Sequence, residues 1–168
     1  YSHSACITDI NNDGWKDIYI SNDFITNDLL WINNHDGTFT DQISVYFKHT
    51  SANSMGCDAG DINNDGLEDF ITLDMNPEDN YRKKMMLSPI SYQLFQNYER
   101  FGYSYQYVRN TLQLNQGPRL GQNDSLGVPV FSEIGYLAGI EATDWSWIPV
   151  LTDFDNDGYR DLIINNGF

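Results

Sequence analysis

Three times the chain repeats a nine-residue pattern with an aspartate or asparagine at positions 1, 3, 5 and 9 and a glycine at position 6. The segments are Asp9-Ile-Asn-Asn-Asp-Gly-Trp-Lys-Asp17, Asp61-Ile-Asn-Asn-Asp-Gly-Leu-Glu-Asp69 and Asp153-Phe-Asp-Asn-Asp-Gly-Tyr-Arg-Asp161. Each runs into a short stretch rich in β-branched and aromatic residues, at 18–21, 70–73 and 162–165. Such stretches read as strands. The starts lie 52 and then 92 residues apart, so the second interval carries an insertion. A loop–strand unit repeated at about this spacing is the mark of a repeat architecture rather than of a single-core fold.

The spacing has a chemical consequence. Short oxygen-bearing side chains at positions 1, 3 and 5 gather on the concave side of a tight turn, and Gly14, Gly66 and Gly158 let the backbone bend. The carbonyl at position 7 can join them, and the carboxylate at position 9 closes the ring. Hard oxygen ligands in a flexible ring of six or seven suit Ca²⁺, whereas Mg²⁺ demands stricter geometry. No His or Cys lies in the ring, which argues against zinc and copper. An EF-hand needs a bidentate Glu at position 12 and flanking helices. Here position 12 is Ile20, Thr72 and Ile164, and the flanks are strand formers. The expected metal residues are Asp9, Asn11, Asp13 and Asp17; Asp61, Asn63, Asp65 and Asp69; and Asp153, Asp155, Asp157 and Asp161. That is up to three Ca²⁺ sites. Without a cation the same loops would be metal-free Asx turns, with carboxylates repelling one another at close range.

A second pair of similar segments follows the loops. Asp28-Leu-Leu-Trp-Ile-Asn33 resembles Asn110-Thr-Leu-Gln-Leu-Asn115. The first leads through His35-Asp36-Gly37, a tight-turn signal, into a strand at 38–41. The second leads through a longer loop at 116–129 into a strand at 130–133. One unit is therefore a strand, the Asp loop, a second strand, a variable loop and a closing hairpin. Four antiparallel strands in about 50 residues make a β-propeller blade. The expected fold class is all-β: a partial propeller of four-stranded antiparallel blades with Ca-binding Asp loops. Residues 1–45 form one blade, 46–137 a second with a small helical insertion at 76–108, and 138–168 the first half of a third. The chain opens at Tyr1 and reads as a segment of a longer polypeptide.

The insertion suggests two short helices, at 81–87 and 91–101, separated by Pro89. Tyr92, Phe95 and Tyr98 recur at helical spacing, which favours packing against the blade over a ligand platform. Trp145 and Trp147 share one face of a strand and suit packing between blades. Arg82, Lys83 and Lys84 read as a solvated helix face. His3, His35 and His49 form no triad and take surface or turn roles. Cys6 and Cys57 lack metal spacing and read as two small buried thiols, with a disulfide between them as the lesser alternative. Asn123-Asp124-Ser125 is a formal glycosylation sequon.

The net charge is −15, and ten of the 24 acidic residues are the aspartates of the three loops. A nucleic-acid partner is excluded, because phosphate binding needs a basic face. Three divalent ions would bring the charge to about −9. No apolar run reaches transmembrane length. The interchangeable look of the repeats favours a binding or scaffold module over an enzyme. The competing reading is a glycan-degrading propeller using carboxylates such as Asp23, Asp74 or Glu141 as acid and base.

The loops resemble the FG-GAP/VCBS repeats of integrin α-chains and of many bacterial secreted proteins. With Asn80-Tyr-Arg-Lys-Lys-Met85, Tyr105-Gln-Tyr-Val-Arg-Asn-Thr-Leu-Gln-Leu-Asn115 and Thr143-Asp-Trp-Ser-Trp147, the likeness is to Bacteroidetes-type VCBS-repeat proteins related to the cartilage acidic protein and UnbV group. The resemblance implies a propeller, commonly of seven blades, with calcium between the first two strands of each blade. It implies export to the outer face of the bacterial outer membrane or beyond. It also implies a protein or glycan partner there, such as an outer-membrane nutrient-uptake complex. Asn11 and Asn63 depart from the fullest pattern, which has Asp at position 3.

Overall fold

The computed structural model describes residues 2–86, 92–118 and 127–167. The fold is mostly β, with four short helices among the described residues. The first sheet is a plain meander. β1 (Ser2–Thr8), β2 (Asp17–Asn22), β3 (Leu29–Asn33) and β4 (Phe39–Asp41) pair antiparallel in chain order, and a four-residue helix, α1 (Ile43–Tyr46), closes the unit. The first Asp loop joins β1 to β2, and the His35-Asp36-Gly37 turn joins β3 to β4.

The chain then forms β5 (His49–Ser51), β6 (Cys57–Gly60), β7 (Asp69–Thr72) and β8 (Met75–Asn76). After β8 come helices α2 (Asn80–Met85) and α3 (Tyr92–Phe101), then β9 (Tyr105–Tyr107), β10 (Thr111–Pro118) and β11 (Pro129–Glu133). A second four-stranded antiparallel sheet has the order β6-β7-β10-β11, again in chain order once the insertion is set aside. Helix α4 (Gly135–Ala138) closes this unit as α1 closes the first. The last strands, β12 (Asp144–Thr152) and β13 (Asp161–Asn166), pair antiparallel across the third Asp loop. Here β8 lies on the N-terminal end of β12, with Met75 opposite Trp145 and Asn76 opposite Asp144. One pairing is parallel: β5 with β9, His49 to Ser51 against Tyr105 to Tyr107.

Four pairs of matching hydrogen bonds show that the first two sheets are copies of one device. The carboxylate of Asp28 accepts from Asn22 N at 2.8 Å, and the amide oxygen of Asn110 accepts from Asp74 N at 2.7 Å. In both, a side chain just before the third strand caps the end of the second. Asp41 accepts from Leu30 N and Ile43 N, and Glu133 from Leu112 N and Gly135 N. Here an acid at the end of the fourth strand ties it to the third strand and to the closing helix. Asp17 accepts from Asn33 N and Asp69 from Asn115 N, which ties the strand after each Asp loop to its neighbour. Each bond occupies a backbone donor that regular pairing leaves over.

The sheets pack face to face, and the core lies between them. β7 shows the result most clearly. Phe70 and Ile71 point to opposite faces, yet both are essentially inaccessible to solvent. Phe70 joins Tyr19, Leu30, Ile32, Phe47 and Phe131 between the first and second sheets. Its ring lies 4.6 Å from Tyr19. Ile71 joins Leu73, Leu112 and Leu151 between the second and third sheets. A strand apolar on both faces is what a layer sandwiched between two others requires. The first strands of the three units, β1, β6 and β12, stand side by side. Gly56, just before β6, belongs to this contact: a Cβ there would run into the carbonyl oxygen of Trp147 and lie 2.9 Å from Pro149 Cδ.

The insertion packs through Tyr98, which is buried, and through Phe95, whose ring sits 5.8 Å from Tyr105 and 6.0 Å from Tyr107. Tyr92 departs from the expected packing trio and is 74% exposed. Only part of a helical stripe faces inward when the helix lies on a sheet edge rather than across its face. Asp79 caps α2 by accepting from Arg82 N at 2.9 Å. Arg82, Lys83 and Lys84 are exposed, as a solvated helix face requires. Leu87, Pro89, Ser91 and the sequon at Asn123 lie outside the described residues.

Candidate metal centres

The three Asp loops have one backbone geometry, fixed by the same side chains. Position 4 takes a left-handed conformation in each, with φ of 59° at Asn12, 59° at Asn64 and 67° at Asn156. Asparagine is the non-glycine residue that tolerates this region best. Position 6 has φ of 90°, 84° and 92° at Gly14, Gly66 and Gly158, with no atom near a would-be Cβ. Glycine is needed there for its conformation, not for room. The position-4 asparagines are a signal that the ligand pattern alone passes over: all three loops carry Asn there.

The carboxylate at position 1 closes each turn. Asp9 accepts from Asp13 N at 3.0 Å and Gly14 N at 2.7 Å. Asp61 accepts from Asp65 N and Gly66 N, and Asp153 from Asp157 N and Gly158 N. The oxygens of Asn11, Asn63 and Asp155 accept from the N–H of position 5. The oxygens of Asp13, Asp65 and Asp157 accept from that of position 7. The loop backbone thus aims its donors at the side-chain oxygens and holds them on one side of the turn.

Position 9 is built differently, because it begins a strand. Asp17 and Asp69 are almost fully buried. Each bridges two segments: Asp17 accepts from Ile10 N at 3.1 Å and Asn33 N at 2.9 Å, Asp69 from Ile62 N at 3.0 Å and Asn115 N at 2.8 Å. Burial, with smaller repulsion from Asp13 and Asp9, pushes the Asp17 carboxyl above the usual range despite those bonds. Asp69 is raised in the same way, with Asp65 and Asp61 as the repelling charges. Asp161, in the third loop, accepts from Phe154 N at 2.9 Å.

In the third loop one oxygen each from Asp153, Asp155 and Asp161 lies within 4.8 Å of the others. Positions 1, 3 and 9 of this loop thus come together. Asp157 lies outside that trio, its carboxylate engaged by Tyr159 N at 2.8 Å. In the first two loops position 3 is Asn11 or Asn63, whose amide nitrogen donates to the position-5 carboxylate at 2.9 Å. The donor set is all oxygen, prearranged by backbone amides, and it fits a hard cation such as Ca²⁺.

Two neighbours of the loops were not legible in the motif. His35, from the β3–β4 turn, bonds Asp13 at 2.9 Å and stacks on Trp15 with ring centroids 5.1 Å apart. Asn64 donates its side-chain amide to Gly158 O at 3.0 Å, so the second and third loops touch. His49 also departs from the expected surface role. Its Nε2 lies 2.9 Å from Arg109 and 3.5 Å from Glu133, in a half-buried group at the β5–β11 junction.

Each acidic residue suggested for acid–base chemistry has partners within the protein. Asp74 is fully buried and accepts from Ser51, Ala52 N and Asn53 N. Asp23 lies 3.8 Å from His3, and Glu141 offers its backbone carbonyl to Asn76 and Asn110. A polar cleft of about 820 Å³ between α2 and β12 is lined by Glu78, Asp79, Arg82, Thr143 and Asp144. There Asp79 is spent on the helix cap, and Asp144 pairs with Arg82.

Residues 9–72 match the family model of the FG-GAP-like repeat. The match begins at the first aspartate of loop one and ends with β7, so it covers the first two loops. The chain therefore contains an FG-GAP-like repeat, a propeller-type module. No curated protein matches the chain. No helix among the described residues is long and apolar enough to cross a membrane.

Proposed function

We propose that this chain is part of a calcium-stabilised β-propeller that serves as a binding or scaffold module of a secreted or cell-surface protein, without enzymatic activity of its own. One observation carries the reading. Three Asp loops of one geometry join the first two strands of three successive sheets, and those first strands stand side by side. This supports blades set about an axis. The FG-GAP-like match over residues 9–72 supports it.

Each loop holds one Ca²⁺ through the oxygens of positions 1, 3, 5 and 9 and the position-7 carbonyl. The ion offsets the clustered charge and locks the turn between two strands. Its role is structural, since the device recurs once per blade. The partner is a protein or a glycan at the cell surface, in keeping with a place beside an outer-membrane uptake system.

The sites differ in strength. The third loop carries four carboxylates, because Asp155 stands where the others have Asn11 and Asn63. Ligand charge raises calcium affinity. Calorimetric titration with Ca²⁺ is expected to show the third loop tightest, and Asp155→Asn to weaken that phase about tenfold. A tightest phase untouched by Asp155→Asn would refute the ranking. The absence of any calcium heat from the whole chain would refute the reading itself.

A further inference from the structure

We propose that Cys6 and Cys57 are a disulfide-forming pair that covalently joins the first strands of the two four-stranded sheets. These are the only two cysteines of the chain, 51 residues apart, and the fold brings them to one contact. Ser4 and Cys6 share a face of β1 at period two. Cys57 Sγ, on β6, donates to Ser4 Oγ at 3.5 Å, which sets it beside the face of β1 that carries Cys6. Both are half-buried, and both pack against the core cluster between the first and second sheets. They therefore sit at the edge of a rigid junction that a small oxidant can reach.

The repeat shows what this position does. Aligning the units on their Asp loops places Cys6 of β1 where β6 has Asp58. At the next junction Asp58 ties β6 to β12, accepting from Leu151 N at 2.8 Å. The same place at the first junction holds the thiol pair instead. Two free thiols are a weak substitute for a carboxylate–amide bond, whereas an Sγ–Sγ bond is a stronger one.

Formation needs an oxidant of the small-molecule disulfide class. The thiolate of Cys57 attacks one sulfur of that disulfide and releases one thiolate, leaving a mixed disulfide on Cys57. Cys6 then gives up its proton to solvent and attacks the Cys57 sulfur, expelling the second thiolate. Two protein thiols are oxidised, and one small disulfide is reduced to two thiols. The nearby Cys6 side chain holds the Cys57 thiol below its ordinary range, while Cys57 and burial push Cys6 up, so Cys57 ionises first.

The test uses the whole native chain incubated with oxidised glutathione. Blocking with maleimide and digestion with trypsin under non-reducing conditions follow. The expected result is loss of both free thiols with no glutathione retained, and a cross-linked pair of peptides, 1–16 with 49–82. Oxidation should raise Tm by about 10 °C, reversibly with dithiothreitol, and Cys6→Ser should abolish that rise. Two thiols still free after incubation, glutathione retained on each cysteine, or an equal rise in Cys6→Ser would overturn the proposal.

Discussion

Replacing Asp69 with alanine is expected to lower the unfolding free energy by about 3–5 kcal/mol even with calcium removed. Asp69 is inaccessible to solvent, and its two oxygens satisfy Ile62 N and Asn115 N, one in the loop and one in β10. Alanine leaves both donors without that acceptor inside the protein, and the cost is that of unsatisfied buried groups. Asp65, in the same loop, is the control. It is exposed, and its bonds are to Leu67 N and the Asn63 side chain. In chelator Asp65→Ala should cost less than about 1 kcal/mol. In calcium both variants should also lose a ligand, so both losses should grow while the gap between them persists. Urea unfolding of the two variants under both conditions reads this directly. Equal losses in chelator would show that the position-9 carboxylate is a metal ligand alone and not a strand tie.

The second large effect concerns pH. Asp28 is fully buried, and burial pushes its carboxyl up to about 7, against opposing bonds from Asn22 N, Tyr19 and Ser54 and with a small further push from Asp74. The folded state therefore holds a proton on Asp28 that the unfolded chain has already released. The stability this group contributes is full below about pH 4 and is lost as pH rises through 7. A shift of about three units corresponds to about 4 kcal/mol across that window. Asp28→Asn keeps the shape and removes the titration. The stability of the wild type minus that of Asp28→Asn should thus fall by about 3 kcal/mol between pH 5 and pH 8, and a flat difference would contradict the assignment. The measurement is denaturant unfolding at both values in saturating calcium, which keeps the Asp loops in one state.

What the sequence revealed and what it concealed divide along chain distance. The loops, the strands after them and the matching segments at 28–33 and 110–115 were legible, because a turn and its strand are specified within a dozen residues. The reason those segments match was not. Asp28 and Asn110 look unlike in charge, and their shared task emerges only when Asn22 and Asp74 are seen to end the preceding strands. The parallel β5–β9 pair joins segments on opposite sides of the insertion, and three residues each are too few for an alternation to show. The addition of β8 to β12 was equally hidden: two residues carry no period, and their partner lies far along the chain. Tyr92 illustrates the opposite error. Helical spacing put it with Phe95 and Tyr98, but spacing names a stripe, and the tertiary contact decides how wide a stripe is covered.

The thiol pair shows a further limit. Cys6 and Cys57 have no motif spacing, so sequence reads them first as small buried thiols and only second as a disulfide. Their meeting follows from two sheets packing with first strands adjacent, which is a property of the repeat and not of either residue.

The most direct measurement is thermal unfolding of the chain in millimolar calcium, in excess chelator and in millimolar magnesium. With free Ca²⁺ about tenfold above Kd, each loop adds about 1.4 kcal/mol, so three loops should raise Tm by about 10 °C over chelator. Magnesium should give much less, because the loop ligands are too many and too pliant for its strict octahedron. Superimposable melting curves in calcium and in chelator would contradict the account, leaving the three loops as Asx turns that hold their strands without an ion.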